Sequence, residues 1–232
     1  MYSSADGNTL IGANAGTAIT AADYATLLGE RAGEALNTGY DNLHIGYLSG
    51  LVNYTGSDNS FLGYQSGFVA SPYGDSSSDN SFAGYQAGIA NVDGYDNTFF
   101  GYKAGYGNTT GDDNVFIGYY AGYGSSTADD NTGVGEYAFA YPYGDQTGYG
   151  NSALGYSAGE GLRAGIYNTF VGYEVDDNGD GHFNSFAGFE AGGNNEHADY
   201  NTAIGAYAGW DNNRTNNADD ANRNTYFGAS AG

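Results

Sequence analysis

An Asn followed four residues later by Gly recurs along almost the whole chain, and its spacing constrains the fold more than any other feature. The anchors are Asn8, Asn42, Asn59, Asn80, Asn97, Asn114, Asn131, Asn151, Asn168, Asn184, Asn201 and Asn224, with Ala25 holding the anchor position of one further unit. Successive steps are 17, 17, 17, 21, 17, 17, 17, 20, 17, 16, 17 and 23 residues. A fixed period of this length marks an architecture in which each unit buries its apolar face against its neighbours. The long steps carry insertions near residues 70–78, 140–149 and 211–222, rich in turn-forming residues. They read as loops on one edge of a single repeat domain spanning 1–232.

Within a unit, strand-forming residues come first and a polar turn follows, as in Asn97-Thr98-Phe99-Phe100-Gly101-Tyr102-Lys103-Ala104-Gly105 and the Gly, Asn and Asp after it. A helical repeat is excluded by a Gly every four or five residues, each costing roughly 1 kcal/mol in a helix. The expected fold is an all-β parallel β-solenoid of about 12–13 turns and roughly 60 Å, with equivalent residues stacked about 4.8 Å apart. The 41 Gly and 24 Tyr among 232 residues agree with a thin core built from such columns.

Each aligned column becomes a ladder. The Asn column can chain amide to amide, and Ser or Thr follows it. An aliphatic-rich column three positions after the anchor (Ile11, Leu28, Ile45, Leu62, Phe100, Ile117, Leu154 and Val171 among others) is the expected core. Directly before it stand Phe61, Phe82, Phe99, Phe116, Phe170 and Phe186. Successive strand residues face opposite sides, so either one of these two columns points outward, with the Phe column as the expected assembly stripe, or a bend at the Gly folds both inward. Five positions after the anchor, Tyr47, Tyr64, Tyr85, Tyr102, Tyr119, Tyr156 and Tyr173 form an aromatic ladder whose first role is stacking, with sugar binding on exposed rings as an alternative.

Five Lys and Arg face 27 Asp and Glu, a net charge of −22, which opposes nucleic acid and anionic membrane as partners. No apolar run is long enough for membrane insertion. Asp precedes the anchor in six consecutive units, at Asp41, Asp58, Asp79, Asp96, Asp113 and Asp130. Such a column fits turn chemistry, or a ladder of calcium ions that offsets carboxylate repulsion. Asp176, Asn178 and Asp180 alternate as at the start of an EF-hand loop, though Ala187 stands where the closing Glu belongs, and they are the best single calcium candidates. His44, His182 and His197 fall in separate units without catalytic spacing, so the chain reads as a non-enzyme with no required cofactor.

The strings Asn59-Ser60-Phe61-Leu62-Gly63, Asn151-Ser152-Ala153-Leu154-Gly155 and Asn201-Thr202-Ala203-Ile204-Gly205 resemble the head repeat of YadA-type trimeric autotransporter adhesins and similar repeats of phage tail-fibre-like surface proteins. The resemblance implies a parallel β-roll, often trimeric, used in adhesion outside the cell. Stacking a second copy after Gly232 gives a step of 16 residues from Asn224 to the next Asn8, within the observed range. The expected function is a structural subunit of an extracellular or cell-surface fibre that assembles with itself head to tail. The alternative is an adhesin-type module whose loops contact a glycan or receptor.

Overall fold

The computed structural model describes residues 5–69, 77–141, 146–175, 180–193, 197–210 and 222–232. They fall into two compact units, Met1–Asn114 and Val115–Gly232. The first contains β1 (Thr9–Ile11), β2 (Thr26–Leu28), β3 (Leu43–Ile45), β4 (Ser60–Leu62), β5 (Ser81–Ala83) and β6 (Thr98–Phe100). The second contains β7 (Val115–Ile117), β8 (Thr132–Val134), β9 (Ser152–Leu154), β10 (Thr169–Tyr173), β11 (Ser185–Phe189), β12 (Thr202–Ile204) and β13 (Thr225–Phe227). There is no helix among the described residues, hence none long and apolar enough to cross a membrane.

In each unit, consecutive strands pair in parallel at equivalent positions, as in Thr9↔Thr26 and Thr169↔Ser152. Register survives the long steps, with Ser60↔Ser81, Thr132↔Ser152 and Thr202↔Thr225 still paired. Each unit is therefore a parallel β-solenoid with a turn of about 17 residues; the insertions lie largely outside the described residues. Backbone bonding between turns continues beyond the strands: Gly50 N–H donates to the Ser66 carbonyl at 2.9 Å and Gln65 N–H to the Tyr47 carbonyl at 2.9 Å.

Left-handed corners bend the chain back on itself. In the turn anchored at Asn80 they fall at Gly84 (φ 144°), Gln86 (55°), Gly88 (58°) and Asp96 (55°), and the same positions recur in other turns. At Gly84 no other residue fits, because a Cβ would stand 2.1 Å from the carbonyl oxygen of Gly101 in the next turn.

The interior is built on Asn. Asn42, Asn59, Asn80 and Asn97 are buried, and each Oδ1 accepts the backbone N–H of the next anchor, as in Asn59 to Asn42 at 3.1 Å and Asn97 to Asn80 at 3.0 Å. Each Nδ2 crosses the coil to a carbonyl late in its own turn, Gly56 for Asn42 and Gly111 for Asn97, both at 2.8 Å. The second unit repeats this, with Asn168 donating to Gly181 at 2.8 Å and Asn184 N–H to Asn168 Oδ1 at 2.8 Å. In the Ala25 turn an apolar cluster of Ala22, Ala25, Leu27, Ala32 and Leu36 takes the place of the amide.

This inward Asn decides which apolar column is the core, and it reverses the sequence expectation. Residues two positions apart in a strand share a face, so the residue two after the anchor points inward with the Asn. Phe61, Phe82, Phe99, Phe116, Phe170 and Phe186 are at most 2% exposed. They are core and cannot be the assembly stripe. Phe61, Phe82 and Phe99 stack at 5.0 and 4.7 Å, and each buried ring contributes roughly 1.5–3 kcal/mol. Space for the ring comes from the Gly eight positions after the anchor: a Cβ on Gly88 would lie 2.4 Å from the Phe82 ring. The turn of Asn131 exchanges the pair, with Gly133 in the Phe position and Phe139, 3% exposed, in the Gly position.

His44 occupies the Phe position of its turn. It is fully buried, stacks on Phe61 at 5.0 Å, and neither ring nitrogen has a hydrogen-bond partner. Burial penalises the imidazolium and lowers the pKa to about 3.

Two predictions follow from these packing relations. Gly84→Ala should cost about 3 kcal/mol or more in urea unfolding followed by circular dichroism, combining a forbidden φ with a backbone clash; a loss below about 1 kcal/mol would contradict the close approach. Unfolded His44 takes up a proton near its ordinary pKa of 6.5 while the folded side chain resists until about 3. Its contribution is therefore complete above about pH 6.5 and is lost as pH falls through that window. Between about pH 7.5 and 4.5 the wild type should lose about 2–3 kcal/mol more than His44→Phe, and equal acid sensitivity of the two would refute this.

Candidate functional site on the outer sheet face

With Asn and Phe turned inward, the strand residues one and three positions after the anchor line the outer face. Leu28, Leu62 and Phe100 in the first unit and Ile117, Leu154, Val171 and Ile204 in the second are 37–54% exposed. The aliphatic column expected as core is thus the outward one. The expectation that one of the two adjacent apolar columns faces outward holds, with the members exchanged.

The tyrosine ladder follows the Gly corner, five positions after the anchor, and is also exposed. Tyr47, Tyr64, Tyr85 and Tyr102 stack successively at 5.3, 5.1 and 5.1 Å with rings within 22° of parallel. Tyr156, Tyr173 and Phe189 stack at 4.9 and 5.2 Å in the second unit. At 39–43% exposed, the four Tyr of the first unit show on the order of 300 Å² of ring, taking roughly 200 Å² for each aromatic side chain. Leu28, Leu62 and Phe100 add further exposed apolar surface on the strand face. A Ser or Thr column borders it, including Thr26, Ser60, Ser81 and Thr98.

Tyr119 belongs to the same column but meets a different arrangement. In the next turn Glu136 holds the ladder position, and Tyr137, one residue later, meets Tyr119 and Tyr156 edge-on at 5.6 and 6.1 Å. Burial, helped by Tyr119, Glu136, Tyr156 and Glu160, holds the Tyr137 phenol above its usual range. In the turn of Asn97, Lys103 Nζ lies 5.7 Å from the Tyr102 ring centre and 4.8 Å from that of Tyr106, a cation–π pairing invisible to column counting.

The acidic candidates sit at corners. Asp41, Asp58, Asp79, Asp96, Asp113 and Asp130 are exposed and all have φ between 54° and 60°, a conformation that Asp tolerates better than most residues. No group of three or more Asp, Glu or His able to hold a metal ion occurs among the described residues. Asp176 and Asn178 lie outside the described residues. Asp180 pairs with Arg163 at 2.7 Å and accepts the Ala164 N–H at 3.1 Å. Its burial would raise the carboxyl pKa, but these hydrogen bonds and the Arg163 charge bring it below the ordinary value. Later corners replace Asp with rings: Tyr167, Phe183 and Tyr200 stack at 5.4 and 4.9 Å, and Arg223 lies 5.5 Å from the Tyr200 ring centre.

If the corner Asp serves turn geometry, Asp96→Gly should leave stability within about 0.5 kcal/mol while Asp96→Val costs about 1–2 kcal/mol. Chemical unfolding checks both, and equal effects of Gly and Val would refute the assignment.

Against known proteins, no family model matches the chain, and neither curated proteins nor solved structures give a significant match.

Proposed function

We propose that this chain is a structural subunit of an extracellular or cell-surface fibre that lengthens by continuing the solenoid head to tail. The observation carrying this reading is the self-complementarity of the turns. In each unit consecutive strands pair in register, anchor Oδ1 atoms accept the N–H of the following anchor, and the residue two after the anchor packs on its counterpart in the next turn. A further turn stacked on β1 meets the same bonding, and the same core column at Leu10. The resemblance to adhesin heads is the reason for placing such a fibre outside the cell.

A second reading, an adhesin-type binding module, is supported by the exposed Tyr column, whose rings stack on one another and leave their edges to a ligand. Negative-stain electron microscopy over a concentration series separates the two. The fibre reading expects uniform filaments whose length grows with concentration, and short particles for Leu10→Asp, which puts a charge into the junction while the fold, checked by circular dichroism, persists. Discrete particles of the wild type at every concentration would sink it and favour the binding module.

A further inference from the structure

The interior of the first unit changes character between its second and third turns. Asn8 Oδ1 still accepts the Ala25 N–H at 2.7 Å. Ala25 has no amide, so the Asn42 N–H meets no anchor Oδ1 and no anchor Nδ2 ties the second turn across the coil. Leu36 stands eleven positions after that anchor, where the third turn has Asn53, whose Nδ2 reaches Asn42 Oδ1 at 3.4 Å. Ala22, Ala25, Leu27 and Leu36 thus form an apolar interior on one side of the boundary, and Asn42 and Asn53 an amide interior on the other. Polar bonding across it is left to the backbone ladder, such as Gly33 N–H to the Ser49 carbonyl at 2.9 Å and Gly46 N–H to that of Leu28 at 2.8 Å, and to Tyr40 N–H donating to Ser57 Oγ at 3.1 Å.

His44 lies on this boundary. Its register partners in the core column are Leu27 of β2 and Phe61 of β4, and it stacks on Phe61 at 5.0 Å. Gly33 and Gly50 leave room for the ring, since a Cβ on them would stand 3.0 and 2.4 Å from Nδ1. The side chain is fully buried and neither ring nitrogen has a hydrogen-bond partner. The described charged groups of the turns packed against it, Asp23, Glu30, Arg31, Glu34, Asp41, Asp58 and Asp79, are half-buried or exposed, and the tyrosines of these turns are exposed. Burial alone opposes the proton on His44.

We propose that the boundary between the second and third turns is an acid-sensitive seam, at which proton uptake by His44 separates the β1 and β2 turns from the rest of the first unit. A charged imidazole held between Leu27 and Phe61 has to reach water, and its two sides are unequal. Opening towards Phe61 breaks the ring stack and the bond from Asn59 N–H to Asn42 Oδ1, leaving a buried amide unsatisfied. Opening towards Leu27 breaks no anchor amide bond, so the seam side yields first. The open form takes up a proton near pH 6.5 while the closed form resists until about 3, so the open fraction grows about thirtyfold between pH 7.5 and 5. The seam belongs to one pair of turns and stands whether or not copies join into a fibre.

The test is amide hydrogen exchange of the full chain, read by mass spectrometry at pH 7.5 and 5 and corrected for the intrinsic pH dependence of exchange. Expected is an about thirtyfold loss of protection at the Gly33, Ala35 and Gly46 amides, against at most about twofold at Gly84 and Gly101, whose bonds join later turns. His44→Phe, which restores the usual ring of the column, should hold seam protection within about twofold across the two pH values. Ala25→Asn, which supplies the missing amide, should raise seam protection severalfold at both. Unchanged seam protection in the wild type would overturn the proposal, as would the same loss in His44→Phe, an equal loss at Gly84 and Gly101, or no gain in folded Ala25→Asn. Circular dichroism checks the fold of each variant, and His44→Phe keeps the test decisive if Ala25→Asn does not fold.

Discussion

The buried Asn amide is the interaction on which the other columns depend. Its Oδ1 holds the backbone of the following turn while its Nδ2 ties the end of its own turn back across the coil, as Asn97 does to Asn114 N–H at 3.0 Å and to Gly111 at 2.8 Å. One side chain thereby sets both the rise from turn to turn and the closure of each turn. An unsatisfied buried amide costs about 1–3 kcal/mol, so a slip in register would be penalised at every anchor. Once the Asn points inward, strand alternation puts Phe inside and the aliphatic column outside.

Stacking one column on itself amplifies whatever chemistry the column holds. Rings gain from it, and the Phe core and Tyr face both exploit the approach of adjacent turns, with ring centres near 5 Å. Carboxylates lose from it, and the Asp corners are exposed to water, which screens them. In the second unit the same corner switches to Tyr167, Phe183 and Tyr200, exchanging like-charge neighbours for stacked rings without changing the backbone. Corner conformation and corner chemistry are thus separable: the left-handed φ is constant, and the side chain is chosen for what it meets above and below.

The period, the strand positions and the parallel pairing were legible because each is a property of spacing, and spacing survives in the sequence through insertions of several residues. The facing of the columns was not read correctly. Two apolar columns side by side look equivalent when ranked by hydrophobicity, and Leu62 is no less apolar than Phe61. Two signals could have decided between them: the parity of the Asn column, and the Gly that leaves room for the ring, made visible by the exchange of Gly133 and Phe139. His44 also belonged to the Phe column by count, although its chemistry hid it among separate histidines. Contacts such as Lys103 over Tyr106 join positions without a strand relation, so alternation says nothing about them.

The turn of Asn131 combines these effects. Exchanging Gly133 with Phe139 keeps a ring in the core from the opposite side of the coil, so the interior tolerates the change. On the outer face, Glu136 takes the ladder position and the Tyr moves one residue on to a left-handed site, Tyr137 (φ 58°), parallel to Tyr120 (φ 57°). A displacement of one residue turns a parallel ladder into an angled cluster, because the moved ring now meets Tyr119 edge-on where stacked neighbours would lie face to face. A regular repeat offers every turn the same surface and so favours extended contacts with another surface. Among the described residues this turn departs from the repeat at more columns than its neighbours do while keeping its core filled.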